Sequence, residues 1–245
     1  TMALGEKKPD AALDRVKQQI ARAPKSAALH YLLGGVHRSR GEMERAEAAY
    51  LKALELNPNL SGTYVALAQL YFGSGKYPEA LARLKEGLKI NPRDLVAHML
   101  SGVIYERAGD IPRARQAYEQ ALVVNPRFPP AANNLAYIYS EHGGDKEKAL
   151  ELAQRAKEVA PDDPSISDTL GWILYKRGVY QRALSLLKES AGKLPDNPEI
   201  QYHLGMTSLK VGDRESARRA LTVAVNSQAT FPGKDEARAL LASLK

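Results

Sequence analysis

The 245 residues are 44% hydrophobic and 26% charged, a balance typical of a folded protein. No apolar run is long enough to span a bilayer, and the absence of cysteine excludes disulfides, thiolate metal sites and cysteine nucleophiles. The formal net charge of +7 and the sequence pI of about 9.4 raise the question of a nucleic acid or an acidic partner.

The chain begins with a polar segment that does not resemble a targeting sequence, and a helix is predicted after it. Residues 11–23 carry the pattern of a second helix without its partner, and Pro24 stands where that helix should stop. Segment 1–26 is therefore predicted to comprise a tail and a half-repeat helix. A half-repeat at this place predicts that further repeats precede it in the natural protein.

Residues 27–59 predict two helices joined by a short turn. Leu29 and Val36 recur at helical spacing in the first helix, and Gly41 ends it where a left-handed C-cap favours glycine. A second helix follows, and Pro58 stops it. Two helices connected in this way form an antiparallel hairpin.

This hairpin recurs with a period near 34 residues, which is the signature of a solenoid. The period is simplest to follow in the turn glycines, Gly41, Gly75, Gly109, Gly143, Gly178 and Gly212. The predicted repeats 1 to 6 are 27–60, 61–94, 95–128, 129–163, 164–197 and 198–231. A C-terminal capping helix is predicted at 232–245, with an apolar face made of Ala237, Leu240, Leu241 and Leu244.

Capping residues mark where the predicted second helices begin. Asp110, Asp145 and Asp213 follow the turn glycines at the position of an N-cap. Pro78 and Pro112 fall just inside their helices, where a missing N–H costs little. Repeat 4 has one extra residue, which we assign to its turn because an insertion there changes no helix face.

The column pattern of the repeats resembles the tetratricopeptide repeat (TPR) family, which has a small residue at position 8, Tyr at 11, Ala at 20 and Pro at 32. Position 8 is always small here, as Gly34, Ala68, Gly102, Ala136, Gly171 and Gly205. Two helix backbones approach closely at this position, so a Phe there should cost about 1–3 kcal/mol or more. The resemblance implies an all-α, right-handed superhelical solenoid of antiparallel helix pairs.

The C-terminal third carries a narrower resemblance. Segments 168–172 (DTLGW) and 202–206 (YHLGM) look like parts of long bacterial TPR proteins, including lipoproteins of the PEP-CTERM/exosortase and exopolysaccharide export systems. This resemblance implies a periplasmic or cell-envelope location and a role in assembly or export. The composition alone is equally compatible with the cytoplasm.

Positions 5, 9 and 12 of each first helix form a stripe turned away from the buried positions 4, 7, 8 and 11. The family resemblance places this stripe on the concave wall of the solenoid. These columns vary between repeats, so packing does not fix them and they are free to specify a partner. The predicted protein-binding residues of the groove are Tyr31, Arg38, Gln69, Phe72, Met99, Glu106, Asn133, Asn134, Tyr137, Asp168, Trp172, Tyr175, Tyr202 and Met206.

Aromatic and Met side chains on this stripe concentrate in repeats 4 to 6, and such residues often anchor a partner. We expect Tyr137, Trp172 and Tyr202 to lie in one site for an extended or helical protein segment. Contacts between neighbouring hairpins are the competing explanation, because a superhelix can fill its own inner wall. The Lys and Asn of carboxylate-clamp TPR proteins are missing at positions 5 and 9, which disfavours binding to chaperone tails.

Motifs for other chemistry are incomplete. Segment 73–76 (GSGK) lacks the earlier glycine and the later Ser or Thr of a phosphate-binding loop. His30 and His37 share a helix face but occupy packing positions with no carboxylate in register, so we interpret them as packed neutral side chains rather than metal ligands. We therefore expect no catalytic residue, no cofactor and no metal.

The basic excess has a structural explanation. Arg38, Arg107 and Lys210 lie at first-helix ends, where cations meet the negative end of the helix dipole, and other cations are dispersed over second helices. This dispersal disfavours nucleic acid, which needs a contiguous stripe with stacking aromatics. The sequence predicts a non-catalytic scaffold or adaptor that binds a protein segment in the groove. The alternative is a structural module that self-associates.

Overall fold

The computed structural model describes residues 9–244, and in this part of the chain helices are joined by turns and loops, without any strand. Its fourteen helices are α1 (Pro9–Arg22), α2 (Ala27–Ser39), α3 (Met43–Leu56), α4 (Ser61–Gly73), α5 (Tyr77–Ile90), α6 (Leu95–Arg107), α7 (Ile111–Val124), α8 (Pro129–Glu141), α9 (Lys146–Val159), α10 (Pro164–Lys176), α11 (Tyr180–Lys193), α12 (Pro198–Lys210), α13 (Arg214–Asn226) and α14 (Lys234–Ser243). The all-α prediction is confirmed. None of these helices is both long and apolar enough to cross a bilayer.

The helices form two compact units, an N-terminal unit from α1 to α7 and a C-terminal unit from α8 to α14. Consecutive helices pair as hairpins, with α2–α3, α4–α5 and α6–α7 in the first unit and α8–α9, α10–α11 and α12–α13 in the second. Helix α1 packs on α2, and α14 packs on α13. Residues 1–8 of the predicted tail and Lys245 of the predicted capping helix lie outside the described residues.

Each hairpin turn contains a glycine with left-handed backbone. The six periodic glycines have φ values between +72° and +86°, a conformation that strains any residue with a Cβ. The turn between α8 and α9 is one residue longer than the other five, which confirms where the extra residue of repeat 4 lies. Because the insertion falls between helices, it leaves the register of their faces unchanged.

Aspartate caps the second helix at each predicted position. Asp110, Asp145 and Asp213 all accept hydrogen bonds from backbone N–H groups two or three residues later, at 3.0–3.2 Å. The first N–H groups of a helix have no partner inside it, so such a cap typically contributes about 1 kcal/mol. The predicted N-caps are confirmed.

The small residue at position 8 lets the two helices of a hairpin touch. A Cβ added to Gly34 would lie 2.5 Å from the ring of Tyr50, and one added to Gly102 would lie 2.4 Å from the ring of Tyr118. Both tyrosines are buried, with 2% and 0% of their surface exposed. Position 8 therefore has to be small, but in these two hairpins the group that approaches the glycine is an aromatic ring and not, as predicted, the backbone of the partner helix.

His30 and His98 occupy the same position of their repeats and make the same bond. Each donates its Nε2–H to a proline carbonyl six residues earlier, His30 to Pro24 and His98 to Pro92, at 2.9 Å. The proline ends the preceding second helix and the histidine belongs to the next first helix. These bonds therefore tie consecutive helices together at the junction between hairpins.

His37 has a carboxylate partner that the sequence did not indicate, because Glu42 lies in the turn and not on the helix face that carries His37. Its Nδ1 lies 2.5 Å from Glu42 Oε2, because the turn at Gly41 reverses the chain and brings Glu42 back onto the end of α2. Glu42 also accepts a hydrogen bond from Arg40 Nε at 2.8 Å. The Arg40 bond, reinforced by the His37 bond, lowers the pKa of Glu42 to about 2.

Candidate functional site

In the N-terminal unit, part of the predicted stripe lines an open cleft. The cavity measures about 370 Å³ and is bounded by α2, α3, α4 and the start of α6. Three predicted residues, Tyr31, Arg38 and Gln69, line it. The remaining lining residues are Leu32, Gly35, Tyr50, Gly62, Val65, Ala66, Asp94 and Val96. We call this cavity the inner cleft.

The inner cleft exposes large apolar side chains. Tyr31, Leu32 and Val96 keep 36%, 46% and 51% of their surface in contact with solvent. Large apolar groups exposed together in a concavity are typical of surfaces that bury apolar groups of a partner. The inner cleft therefore offers an apolar anchor surface that the fold of this unit leaves uncovered.

Polar groups stand beside this apolar surface. Arg38 Nη1 donates a hydrogen bond to Gln69 Oε1 at 2.5 Å, and both side chains are exposed. A guanidinium carries five N–H donors, so Arg38 retains donors for carbonyl or carboxylate oxygens of a ligand. Tyr50 forms part of the buried lining, and burial raises the pKa of its hydroxyl. The cleft can thus combine apolar contact with hydrogen bonding to a peptide backbone.

The other predicted residues of the N-terminal unit lie outside this cleft. Phe72 packs beside Tyr77, with ring centroids 5.8 Å apart, against the core of the unit. Glu106 Oε2 accepts a hydrogen bond from the hydroxyl of Tyr118 at 2.7 Å. Met99 is half-buried on α6. Phe72 and Glu106 are thus engaged in contacts within their own unit.

In the C-terminal unit, the predicted aromatic residues come together as a packed cluster. The indole of Trp172 stacks on Tyr175 with centroids 4.7 Å apart, and on His203 at 4.1 Å. The Tyr202 ring lies 5.7 Å from Trp172. Trp172 and Tyr202 are only 8% and 5% exposed, so they present little surface to a partner. We call these four residues the aromatic cluster.

The indole of Trp172 and the hydroxyl of Tyr202 already have hydrogen-bond partners within the C-terminal unit. Trp172 Nε1–H donates to Glu141 Oε1 at 3.1 Å, and the Tyr202 hydroxyl donates to Glu236 Oε2 at 2.7 Å. Burial, reinforced by Glu236, raises the pKa of Tyr202 above its ordinary value. Satisfied polar atoms and stacked rings are the properties of a structural core rather than of an unoccupied site.

Helix α14 packs against the aromatic cluster. Ala237 is fully buried and packs with Trp172 and Tyr202. Around them pack the apolar side chains of Phe231, Leu240, Leu241 and Leu244. The chain enters α14 through Gly233, whose φ is +89°. A Cβ on Gly233 would also lie 2.5 Å from the Tyr202 ring. The sequence indicated the apolar face of α14 but not this glycine, which is outside the 34-residue period.

Family comparisons identify the repeats. Models described as tetratricopeptide repeat match residues 25–93, 65–122, 104–164 and 174–244. The chain belongs to the tetratricopeptide repeat family. Over 75 residues this TPR protein is 36% identical to a TPR repeat-containing protein of Pseudomonas aeruginosa, a match that covers 31% of this chain and 12% of that protein.

Solved structures share the fold of this TPR protein. The APC/C hetero-tetramer Cut9–Hcn1 matches with a TM-score of 0.74 at 14% identity, over 97% of this chain and 46% of that chain. Pseudomonas aeruginosa pilF matches with 0.72 at 19% identity, over 96% and 100%. YrrB, described as a TPR protein with an unusual peptide-binding site, matches with 0.61 at 23% identity, over 78% and 98%. The present chain thus spans less than half of the matched Cut9–Hcn1 chain.

The remaining predicted residues of this TPR protein lie on the C-terminal unit. Tyr137 donates its hydroxyl to Glu199 Oε1 at 3.0 Å, and Asp168 lies 2.9 Å from His203 Nδ1. Asn133, Asn134 and Met206 are half-buried, and Met206 packs against the aromatic cluster. Asn133 Oδ1 is buried without a hydrogen-bond partner in the described part of the chain.

Two residues of the inner cleft, Leu32 and Val96, were missed because the predicted stripe was too narrow. Val96 stands at position 2, which lies only about 20° around the helix from position 9. A wider stripe would have included it. Within residues 9–244, no three His, Asp or Glu side chains are grouped as a metal site requires.

Proposed function

We propose that this TPR protein is a non-catalytic interaction scaffold whose inner cleft binds a segment of another protein. The observation that carries the proposal is the exposure of Tyr31, Leu32 and Val96 in one concavity of the N-terminal unit. Membership of the TPR family supports it, and so does the peptide-binding site described for the structural relative YrrB.

The size of the cleft suits a peptide anchor. At about 370 Å³ it lies near the lower end of the range for ligand pockets, about 300–1,000 Å³. It would accommodate one or two apolar side chains of a segment whose backbone bonds to Arg38. The partner in this proposal is an extended or helical segment with an apolar anchor, and the whole partner need not enter the cleft.

The aromatic cluster has a different role in this proposal. Trp172 and Tyr202 would stabilise the C-terminal unit by packing against α14. Tyr137 and Tyr175 are only half-buried, so they would provide the more accessible aromatic surface of this unit. Participation of this unit in binding stays a prediction, and the experiment below separates it from binding at the inner cleft.

The test uses peptides selected from a displayed library against the wild-type protein, with affinities measured by fluorescence anisotropy. Leu32→Asp and Val96→Asp should each weaken binding about tenfold or more, because a carboxylate would be placed against the apolar anchor. Leu51→Asp and Val123→Asp are matched controls, since these residues are also exposed in the N-terminal unit but lie outside the cleft. The controls should leave affinity unchanged.

Two results would contradict the proposed site. Equal weakening by all four substitutions would indicate loss of the fold rather than loss of a site. Full affinity in Leu32→Asp and Val96→Asp, with weakened binding in Tyr137→Ala, would move the site to the C-terminal unit.

We further propose that the partner belongs to a bacterial cell-envelope or polysaccharide-export assembly. The support is the resemblance of segments 168–172 and 202–206 to envelope-associated TPR proteins. Fractionation of the native cells with an antibody against this chain should recover it with the envelope. Recovery from the cytosol alone would contradict this part of the proposal and leave the binding site untouched.

A further inference from the structure

A second and larger cleft lies in the N-terminal unit and shares one helix, α6, with the inner cleft. It measures about 630 Å³ and is bounded by α5, α6 and α7. None of its lining residues belongs to the inner cleft. We call it the outer cleft, and the proposed function assigns it no role.

The outer cleft is lined by cations without any carboxylate. Lys85 and Lys89 come from α5 and Arg113 from α7, and the lining includes no Asp or Glu. Lys85 and Lys89 are exposed and form no ion pair with any described residue. Arg113 lies 3.1 Å from Asp110 and stands over the Tyr105 ring at 5.8 Å. Two neighbouring lysines are thus left without a counter-charge.

Other cations on the second helices pair with acids one turn away, as in Arg83–Glu86, Arg115–Glu119, Arg155–Glu151 and Arg219–Glu215. At the outer cleft, Lys85 and Lys89 have no such partner among the described residues, and the lining contains no Asp or Glu to neutralise them. A nucleic acid would require such charge to continue along a stripe that tracks the phosphates.

Free hydrogen-bond donors add to the charge. The hydroxyl of Tyr105 and the side-chain amides of Gln116 and Gln120 line the outer cleft and make no hydrogen bond within residues 9–244. Leu81 and Leu88 line it as well and pack on the core of the unit. Such a surface can bind carboxylates through the cations and donors while apolar side chains cover the rest of the contact.

We propose that the outer cleft binds an acidic, extended segment of a partner protein, with carboxylates at alternate positions. Lys85 and Lys89 are four residues apart on α5, which separates them by about 6 Å along the helix axis. Alternate side chains of an extended chain are about 6.6 Å apart on one side. Two acidic residues separated by one other residue therefore match the two unpaired lysines.

The probe is a fluorescein-labelled peptide, Gly-Asp-Leu-Asp-Leu-Asp-Leu-Asp-Gly, compared with the same peptide carrying Asn in place of Asp. At low salt the acidic peptide should bind the full chain, and the Asn peptide should bind at least about tenfold more weakly. The double variant Lys85→Glu/Lys89→Glu should lose about tenfold or more in affinity for the acidic peptide, because like charges would face each other.

The matched control is Lys148→Glu/Lys188→Glu, which makes the same change of net charge at exposed lysines of the C-terminal unit. It should change affinity by less than about twofold if the effect is local. Circular dichroism of both double variants establishes that they are folded. Leu32→Asp, in the inner cleft, should leave binding of the acidic peptide unchanged, so the two clefts are tested separately.

Three outcomes would overturn the proposal. Binding of the Asn peptide as tightly as the acidic one would remove the role of the carboxylates. Equal weakening by both double variants would indicate general electrostatic attraction rather than a site. Tighter binding of a single-stranded RNA 12-mer than of the acidic peptide, abolished by Lys85→Glu/Lys89→Glu, would assign the outer cleft to nucleic acid instead.

Discussion

The side chain at position 24 explains why position 8 has to be so small. In repeats 1 and 3 the tyrosines Tyr50 and Tyr118 occupy the space that a Cβ at position 8 would need. In repeat 5, Leu187 does the same, and a Cβ on Gly171 would lie 2.8 Å from it. The sequence showed that the column is small, whereas the structure shows which group requires it.

Gly34→Ala should destabilise the protein although alanine favours helices. The steric conflict with Tyr50 should cost about 1–3 kcal/mol, and the gain in helix propensity is about 1 kcal/mol at most. Urea unfolding measures the difference. Adding Tyr50→Leu should recover part of the loss, because the smaller side chain leaves room for the new methyl group.

Gly192→Ala is the control for this prediction, since Gly192 lies in α11 and has no atom within 4 Å of an added Cβ. It should be neutral or slightly stabilising. A Gly34→Ala variant as stable as the wild type would show that the hairpin can open at no cost, contrary to the packing described.

At the scale of elements, the turn that leads into α14 controls how the C-terminal unit is closed. Gly233 combines a left-handed backbone with direct contact to the Tyr202 ring, so two independent constraints act on one residue. The hydroxyl of Tyr202 then bonds to Glu236 in the first turn of α14. Two contacts to Tyr202 therefore position α14, one to its ring from Gly233 and one to its hydroxyl from Glu236.

Gly233→Ala should loosen α14 and expose the aromatic cluster. The chain contains a single tryptophan, Trp172, so its fluorescence reports on this cluster alone. We expect a red-shifted emission, stronger quenching by acrylamide, and a loss of stability of about 1–3 kcal/mol from strain and overlap.

Gly212→Ala separates strain from contact. Gly212 has φ +86° but no atom within 4 Å of an added Cβ, so its substitution introduces backbone strain without a contact to the aromatic cluster. It should lower stability without changing the emission of the folded protein. Identical emission in wild type and Gly233→Ala would contradict the dependence of the cluster on this turn.

At the scale of the whole molecule, the fold could be predicted because its determinants are local and repeated. Spacing of glycines, caps and prolines is sufficient to indicate helical hairpins, and it also placed the insertion in the turn after Glu141. Each of these residues determines the backbone conformation only within a few residues of its own position. The family assignment rests on the same columns.

The candidate site could be predicted only in part. Tyr31, Arg38 and Gln69 lie in the inner cleft because their helical positions determine the side of the helix on which they stand. The burial of Trp172 and Tyr202 could not be predicted in this way, because it depends on how a non-repeating segment packs against them. The repeat period predicts on which side of a helix a residue lies, but it does not predict whether a segment outside the repeats packs over that residue.

The junction bonds of His30 and His98 have a wider consequence. Tyr64 and Gln201 stand at the same position in their repeats and donate to Pro58 and Pro195 at 3.0 and 2.8 Å. His, Tyr and Gln side chains thus make the same hydrogen bond, which requires only a side chain that is long enough and carries a donor. Since each bond spans only six residues, it constrains its own junction and no other. Replacing a single donor would then loosen that junction and leave the bonds at the other three in place.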